Sequence, residues 1–155
     1  ALTTGDEALA AIRKIMVQMD NNEVPYEGRI LRLTSQIKDL IDHLETYKKT
    51  DVMSRFTSVE VVPEARFYSA IKQYDGDADN KFGFEKAEAA KKIGFVILHP
   101  TALIQADKSV ITKVFDPQTN QKDDSWLVFY HNYGICEALD NKKNGIGVHL
   151  IGAAA

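Results

Sequence analysis

The sequence predicts a mixed fold of helices and strands, α/β or α+β, and three observations carry that reading. Helical and strand signals alternate through roughly the first two thirds of the chain. Strand signals dominate the last third. The chain has 155 residues, 45% of them hydrophobic and 26% charged, with 9 Gly and 4 Pro. That balance suits a globular domain, which at this length can bury roughly 70% of its unfolded surface without a disulfide or metal.

Composition also excludes several classes. The apolar content excludes disorder, and the low glycine count excludes a collagen-like chain. The 19 basic and 22 acidic residues leave a net charge of −3, which speaks against a broad nucleic-acid-binding face. No apolar run approaches the roughly 20 residues of a membrane span, and no secretory signal pattern is present. The single cysteine, Cys136, cannot form an internal disulfide. The chain opens on Ala1 and closes on three alanines, so a processed or trimmed piece of a longer polypeptide is expected.

Thr4-Gly5-Asp6-Glu7 is a capping box. Leu9, Ile12, Met16 and Met19 come after it at helical steps, so a helix is predicted over 6–19, ending near Asn21 and Asn22 ahead of Pro25. A turn at Pro25-Tyr26-Glu27-Gly28 leads into a strand at 30–33. Thr34 and Ser35 cap a second helix, 35–47, whose stripe of Ile37, Leu40, Ile41 and Leu44 should pack on the strands at 30–33 and 93–98. Valines at 59, 61 and 62 predict a strand over 56–62, closed by Pro63. Residues 64–74 read as a short helix or turn, 75–80 as a polar loop, and 84–92 as a further helix. The apolar run 93–99 reads as a strand covered on both faces. Pro100 and Thr101 restart a short helix through Ala106, and three strands close the chain at 110–115, 126–133 and 146–151.

Candidate chemistry is sparse. Asp75, Asp77 and Asp79 occupy positions 1, 3 and 5 of a calcium-loop pattern, but such a loop needs Gly at position 6 and a bidentate Glu at position 12. Asn80 and Lys86 stand there, so a solvated turn is expected and calcium should not raise the melting temperature. His43, His99, His131 and His149 show no paired metal-ligand spacing, and Cys136 has no CxxC partner. Asn144-Gly145-Ile146-Gly147 precedes a strand and reads as a hairpin turn rather than a phosphate cradle. No Walker, G-x-S-x-G or H-E-x-x-H pattern occurs. No catalytic, cofactor-binding or metal-binding residue is therefore assigned.

Longer phrases carry a resemblance. Val24-Pro25-Tyr26-Glu27-Gly28-Arg29, Val62-Pro63-Glu64-Ala65-Arg66-Phe67, and Phe95 through Ala102 with its His99-Pro100 corner are three of them. Lys108, Phe115-Asp116-Pro117-Gln118-Thr119-Asn120-Gln121, Asp124-Ser125-Trp126, Tyr130-His131 and Asn141-Lys142-Lys143-Asn144-Gly145-Ile146 complete the series. In this order and spacing, over about 8–151, the chain resembles the major capsid proteins of tailed bacteriophages of the Hong Kong ninety-seven type. It departs from that family at Asn132, where an aspartate is common, and at Gly147, where an aromatic is common.

The resemblance implies an α+β fold with a mixed central sheet flanked by helices, like the axial domain of those proteins. Residues 1–109 would be axial-domain-like and 110–155 would supply C-terminal strands, partly of the peripheral domain, in a single compact unit. The family's spine helix, extended hairpin arm and N-terminal arm are not supplied by these residues. The implied function is that of a structural subunit, not an enzyme and without cofactor, which assembles with copies of itself into hexamers and pentamers around double-stranded DNA. Portal and scaffold would be partners in the virion, which is assembled in the bacterial cytoplasm; no specific nucleic-acid or membrane binding is implied. Alone, the chain is expected to be a monomer or weak small oligomer, with 75–80 a tip facing the symmetry axis. Arg29, Arg66 and Lys108 read equally as solvated charge or as intersubunit ion pairs, and Trp126 as a core anchor. Two other readings differ in class: a cellular encapsulin-like cage, and a small α/β ligand-binding or enzyme domain with its histidines and Cys136 in one pocket.

Overall fold

The computed structural model describes residues 2–74, 76, 82–120 and 122–152. The polar loop at 75–80, Gly76 apart, lies outside the described residues, and with it the calcium-loop and axis-tip expectations. The chain forms two compact units, one of Ala1–Ala102 with Lys143–Ala155 and the other of Leu103–Lys142. The sequence-based boundary at 109/110 thus falls within a strand rather than at the edge of a unit.

The first unit is built on a four-stranded mixed sheet of order β2-β1-β5-β8. Strand β1 (Ile30–Thr34) runs parallel to β2 (Ser58–Val62) and antiparallel to β5 (Lys92–Leu98), which is antiparallel to β8 (Ile146–Ile151). The mixed α+β class expected from the sequence is the class observed. Helix α1 (Gly5–Asn21) carries the expected capping box, with both reciprocal hydrogen bonds present. Its Ala8, Leu9, Ile12, Met16 and Met19 are buried together with Leu31, Leu33, Phe95 and Ile97 from the sheet. Strand β5 buries Phe95 and Ile97 completely on one face; on the other, Leu98 is buried and Val96 half-buried, so the expected cover on both faces is only partial.

The second helix is shorter than predicted. Helix α2 (Ser35–Asp42) starts under Thr34, whose hydroxyl accepts from the Ile37 amide, and stops at His43. Helix α3 (Thr46–Met53) begins afresh after Glu45. The break falls in the polar run Asp42-His43, where the His43 ring bonds back to the Asp39 carbonyl at 2.7 Å. It lets Leu44 fold onto α1, where a Cβ at Gly5 would stand 2.8 Å from Leu44 Cγ. Ile37 and Ile41 are buried as expected, whereas Leu40 and Leu44 are only half-buried.

Four further expectations are corrected. Residues 64–74 form a 3-10 turn at Glu64–Arg66 and then β3 (Ile71–Tyr74). Residues 84–92 form β4 (Gly83–Lys86) and a turn, not a helix; β4 pairs with β3. The Ala- and Lys-rich stretch has high helix propensity, but cross-strand pairing and the start of β5 at Lys92 override it. After Pro100–Ala102, a 3-10 turn, the chain becomes extended at Leu103 instead of remaining helical to Ala106. Asn144-Gly145 closes a 3-10 segment, Asp140–Gly145, and is no hairpin turn: the strand after it pairs with β5.

The second unit is a two-stranded antiparallel ribbon of β6 (Leu103–Phe115) and β7 (Leu127–Ala138). Both strands run well past the segments predicted at 110–115 and 126–133. The register is continuous except at Lys108, which bulges from β6 between Asp107 and Ser109.

Ile41 has 1% of its surface exposed and sits in the core. Ile41→Ala should lower unfolding free energy by about 2–5 kcal/mol in urea titrations, and Leu40→Ala by clearly less. Equal losses would show that Leu40 contributes to the core as fully as Ile41.

Candidate interaction surface

Five phrase residues of the first unit, Pro25, Gly28, Arg29, His99 and Gly145, meet in one partly buried polar cluster. The Arg29 side chain is fully buried. Its Nε donates to the Pro25 carbonyl at 3.0 Å, and its Nη2 to the Val24 carbonyl at 2.8 Å and to Asp20 Oδ1 at 2.6 Å. Its Nη1 has no hydrogen-bond partner among the described residues, and the Tyr26 ring lies 5.5 Å from the guanidinium carbon. Gly28, next in the chain, takes a left-handed φ of 85°, which brings the Glu27 carbonyl to His99 Nε2 at 2.9 Å. Because that carbonyl can only accept, the His99 proton sits on Nε2. Nδ1 then accepts from the Thr101 hydroxyl at 2.7 Å and the Thr101 amide at 3.3 Å. The His99 amide donates to the Gly145 carbonyl at 2.8 Å. A Cβ on Gly145 would stand 2.8 Å from that of Ala102, so only glycine fits. Pro25, Gly28, Arg29, His99 and Gly145 thus form a structural knot in which every nitrogen of His99 is engaged, and Pro100 lies exposed at the start of the turn that follows.

The remaining phrase positions lie apart. Pro63 accepts from the Arg66 amide in an exposed turn. Lys108 sits at the β6 bulge with Nζ 5.5 Å from the Tyr133 ring centre. Pro117 and Asn120 shape the ribbon's end loop, where the Asn120 amide donates to the Ser125 carbonyl at 3.0 Å. Asn141 and Lys142 lie exposed in the 3-10 segment. Trp126 is 68% exposed, so it anchors no core. His131 and Cys136 belong to the ribbon and, by strand alternation, point to opposite faces of it. His149 stacks flat on Phe95 with ring centres 5.0 Å apart, and its buried Nδ1 has no partner among the described residues. Among the described residues no group of three His, Cys, Asp or Glu side chains could hold a metal.

The ribbon is the feature that calls for a partner. Alternation puts Ile111, Phe115, Phe129, Tyr133 and Ile135 on one face, and Val110, Val114, Val128 and Tyr130 on the other. Eight of the nine are roughly half exposed or more; Phe115 is less so. On the first face Phe115 meets Phe129 edge to face at 6.0 Å, beside a shallow concavity of roughly 500 Å³ completed by Ile111, Lys113 and His131. A two-stranded sheet with apolar side chains on both faces is marginal alone, and apolar patches of this kind mark interaction sites. Periodicity located the two strands; that they would be left uncovered had no signal in the sequence, since apolar alternation reads as burial.

No family model matches the chain, and no curated protein does. Among solved structures, a chain from Mycobacterium phage Che8 is similar, with a TM-score of 0.56 and 12% identity over 96% of this chain. The match covers 50% of that chain, so the present sequence spans about half its length. At this identity the likeness is one of fold. No helix among the described residues is long and apolar enough to cross a membrane.

The buried histidines set two testable outcomes. His99→Phe keeps the ring volume but leaves the Glu27 carbonyl without its donor, and should cost about 1–3 kcal/mol in chemical unfolding. Burial lowers the His149 pKa below its ordinary value, so the unfolded chain takes up a proton that the folded chain resists. Stability should be full above about pH 6.5 and decline as pH falls through that value. Thermal melts should show this decline, and His149→Gln should flatten it. Glu7, Asp42 and Asp116, all held below their usual range, titrate at lower pH and leave that window clear.

Proposed function

We propose that the chain is the axial-domain part, with C-terminal strands, of a shell-building subunit of a tailed phage or prophage. On this reading it assembles with copies of itself into hexamers and pentamers that enclose double-stranded DNA. Portal and scaffold are its partners during assembly in the bacterial cytoplasm, and it resides in the finished virion as a structural protein without enzymatic activity or cofactor. The observation that carries the reading is the fold likeness to a phage chain over 96% of this sequence. It is supported by the order of the phrases and by the way Pro25, Gly28, Arg29, His99 and Gly145 close on one knot.

The physical chemistry agrees. A shell subunit needs rigid wedges and apolar surface that neighbours can cover, and ring closure uses heterologous contacts between different patches. The rigid unit and the uncovered ribbon supply one of each. The mild negative charge of −3 suits a wall that surrounds DNA without gripping it, because strong phosphate neutralisation needs clustered Lys and Arg.

The test is proteomic. Particles purified from cells in which the encoding element has been induced should contain this sequence as their most abundant polypeptide, around nuclease-protected DNA. Particles that hold protein cargo in place of DNA would favour the encapsulin-like cage. Absence of the sequence from particles, or its presence only as a minor component, would overturn the proposal.

A further inference from the structure

The two long edges of the ribbon are unequal. Strand β6 is guarded against pairing: Lys108 bulges out of its ladder, and Asp107, Lys108 and Lys113 are exposed along it, which are the devices that keep edge strands single. Strand β7 has none of them. Its 12 residues, Leu-Val-Phe-Tyr-His-Asn-Tyr-Gly-Ile-Cys-Glu-Ala, are regular, contain no Pro, Lys or Arg, and are exposed at all but the two end positions. Within the described residues β7 pairs with β6 alone.

We infer that the free edge of β7 pairs antiparallel with β7 of a second copy, about a two-fold axis through Gly134. Charge placement selects both the occupant and the register. His131 and Glu137 are the only imidazole and carboxylate of β7, lie six residues apart, and share a face. Pairing about Gly134 sets His131 of each copy opposite Glu137 of the other, so the same contact forms twice. It also sets Tyr133 opposite Ile135, an aromatic with a β-branched residue, which is a favourable cross-strand pair. A shift of the axis to Tyr133 places Glu137 against Phe129 and His131 against Ile135, leaving both polar groups unmatched. Gly134 suits the axis because it carries no side chain, and the space above it is already filled by Asp107, whose Oδ1 would stand 2.7 Å from a Cβ there. The product is a four-stranded sheet, which passes the threshold at which a sheet is stable in water. The pairing does not depend on the shell reading and can fail or hold without it.

The register is testable with the native thiol. Asn132 faces Cys136 of the second copy, so Asn132→Cys should give a disulfide-linked dimer under mild oxidation. Within one strand these positions lie roughly 13 Å apart, beyond the reach of a disulfide. Wild type, whose two Cys136 residues would be offset by a similar distance, should not crosslink. In sedimentation equilibrium the wild-type chain should dimerise at about 100 μM or below; Glu137→Lys should weaken the dimer about tenfold or more, and adding His131→Glu should restore it. Circular dichroism of each variant checks that the fold is kept. A wild-type chain that stays monomeric overturns the pairing. So does an Asn132→Cys chain that dimerises but does not crosslink, or a wild type that crosslinks as fast as the variant.

Discussion

The buried guanidinium of Arg29 is the constraint on which the first unit depends. Helix α1 ends at Asn21, and the carbonyls of Val24 and Pro25 face inward, away from any ladder. The fully buried guanidinium needs acceptors as much as these carbonyls need a donor, since an unsatisfied buried charge is costly. Arg29 satisfies both and ties them to Asp20 in the last turn of α1, so one side chain fixes the angle at which the helix passes into β1. His99 does the same one layer on, joining the Gly28 turn to the corner after β5. Lysine could not replace Arg29, since a single ammonium lacks the fork that reaches three acceptors from a fixed plane.

What was legible in the sequence was local. The Thr4–Glu7 box, the Leu9 to Met19 stripe, the Thr34 cap and the valines of β2 each announce their element through neighbours a few residues away. What was not legible depended on distant pairing. Residues 84–92 have the composition of a helix, yet Phe84 and Glu85 pair with Gln73 and Lys72 across a loop. The break after α2 sets Leu44 against Gly5, a contact invisible from either residue alone. The polar knot was foreshadowed by the phrase residues as a set, but nothing in the sequence showed that Arg29 and His99 would be buried, and solvated surface charge was an equal reading for Arg29. Trp126 shows the opposite failure: its size suggested a core, and it lies at the open end of a ribbon.

Gly147 marks a point where helix and strand pack without a side chain between them. A Cβ at that position would overlap the Ile15 side chain of α1. The helix therefore sits against β8 at a point where an aromatic could not be accommodated.

The ribbon is inserted between β5 and β8, strands that pair side by side in the first unit, and its two roots are stitched together where the His99 amide meets the Gly145 carbonyl. This arrangement bears on how the chain folds. Joining β5 to β8 means closing a loop of 47 residues, 99–145, whose entropic cost grows with the logarithm of its length. A hairpin zips locally on the microsecond scale. Once it has done so, its two ends lie a strand spacing apart, and the remaining closure is that of a loop of about eleven residues. By the logarithmic law this removes about 1 kcal/mol of the closure cost. The uncovered ribbon therefore acts as a template that brings the edge strand home.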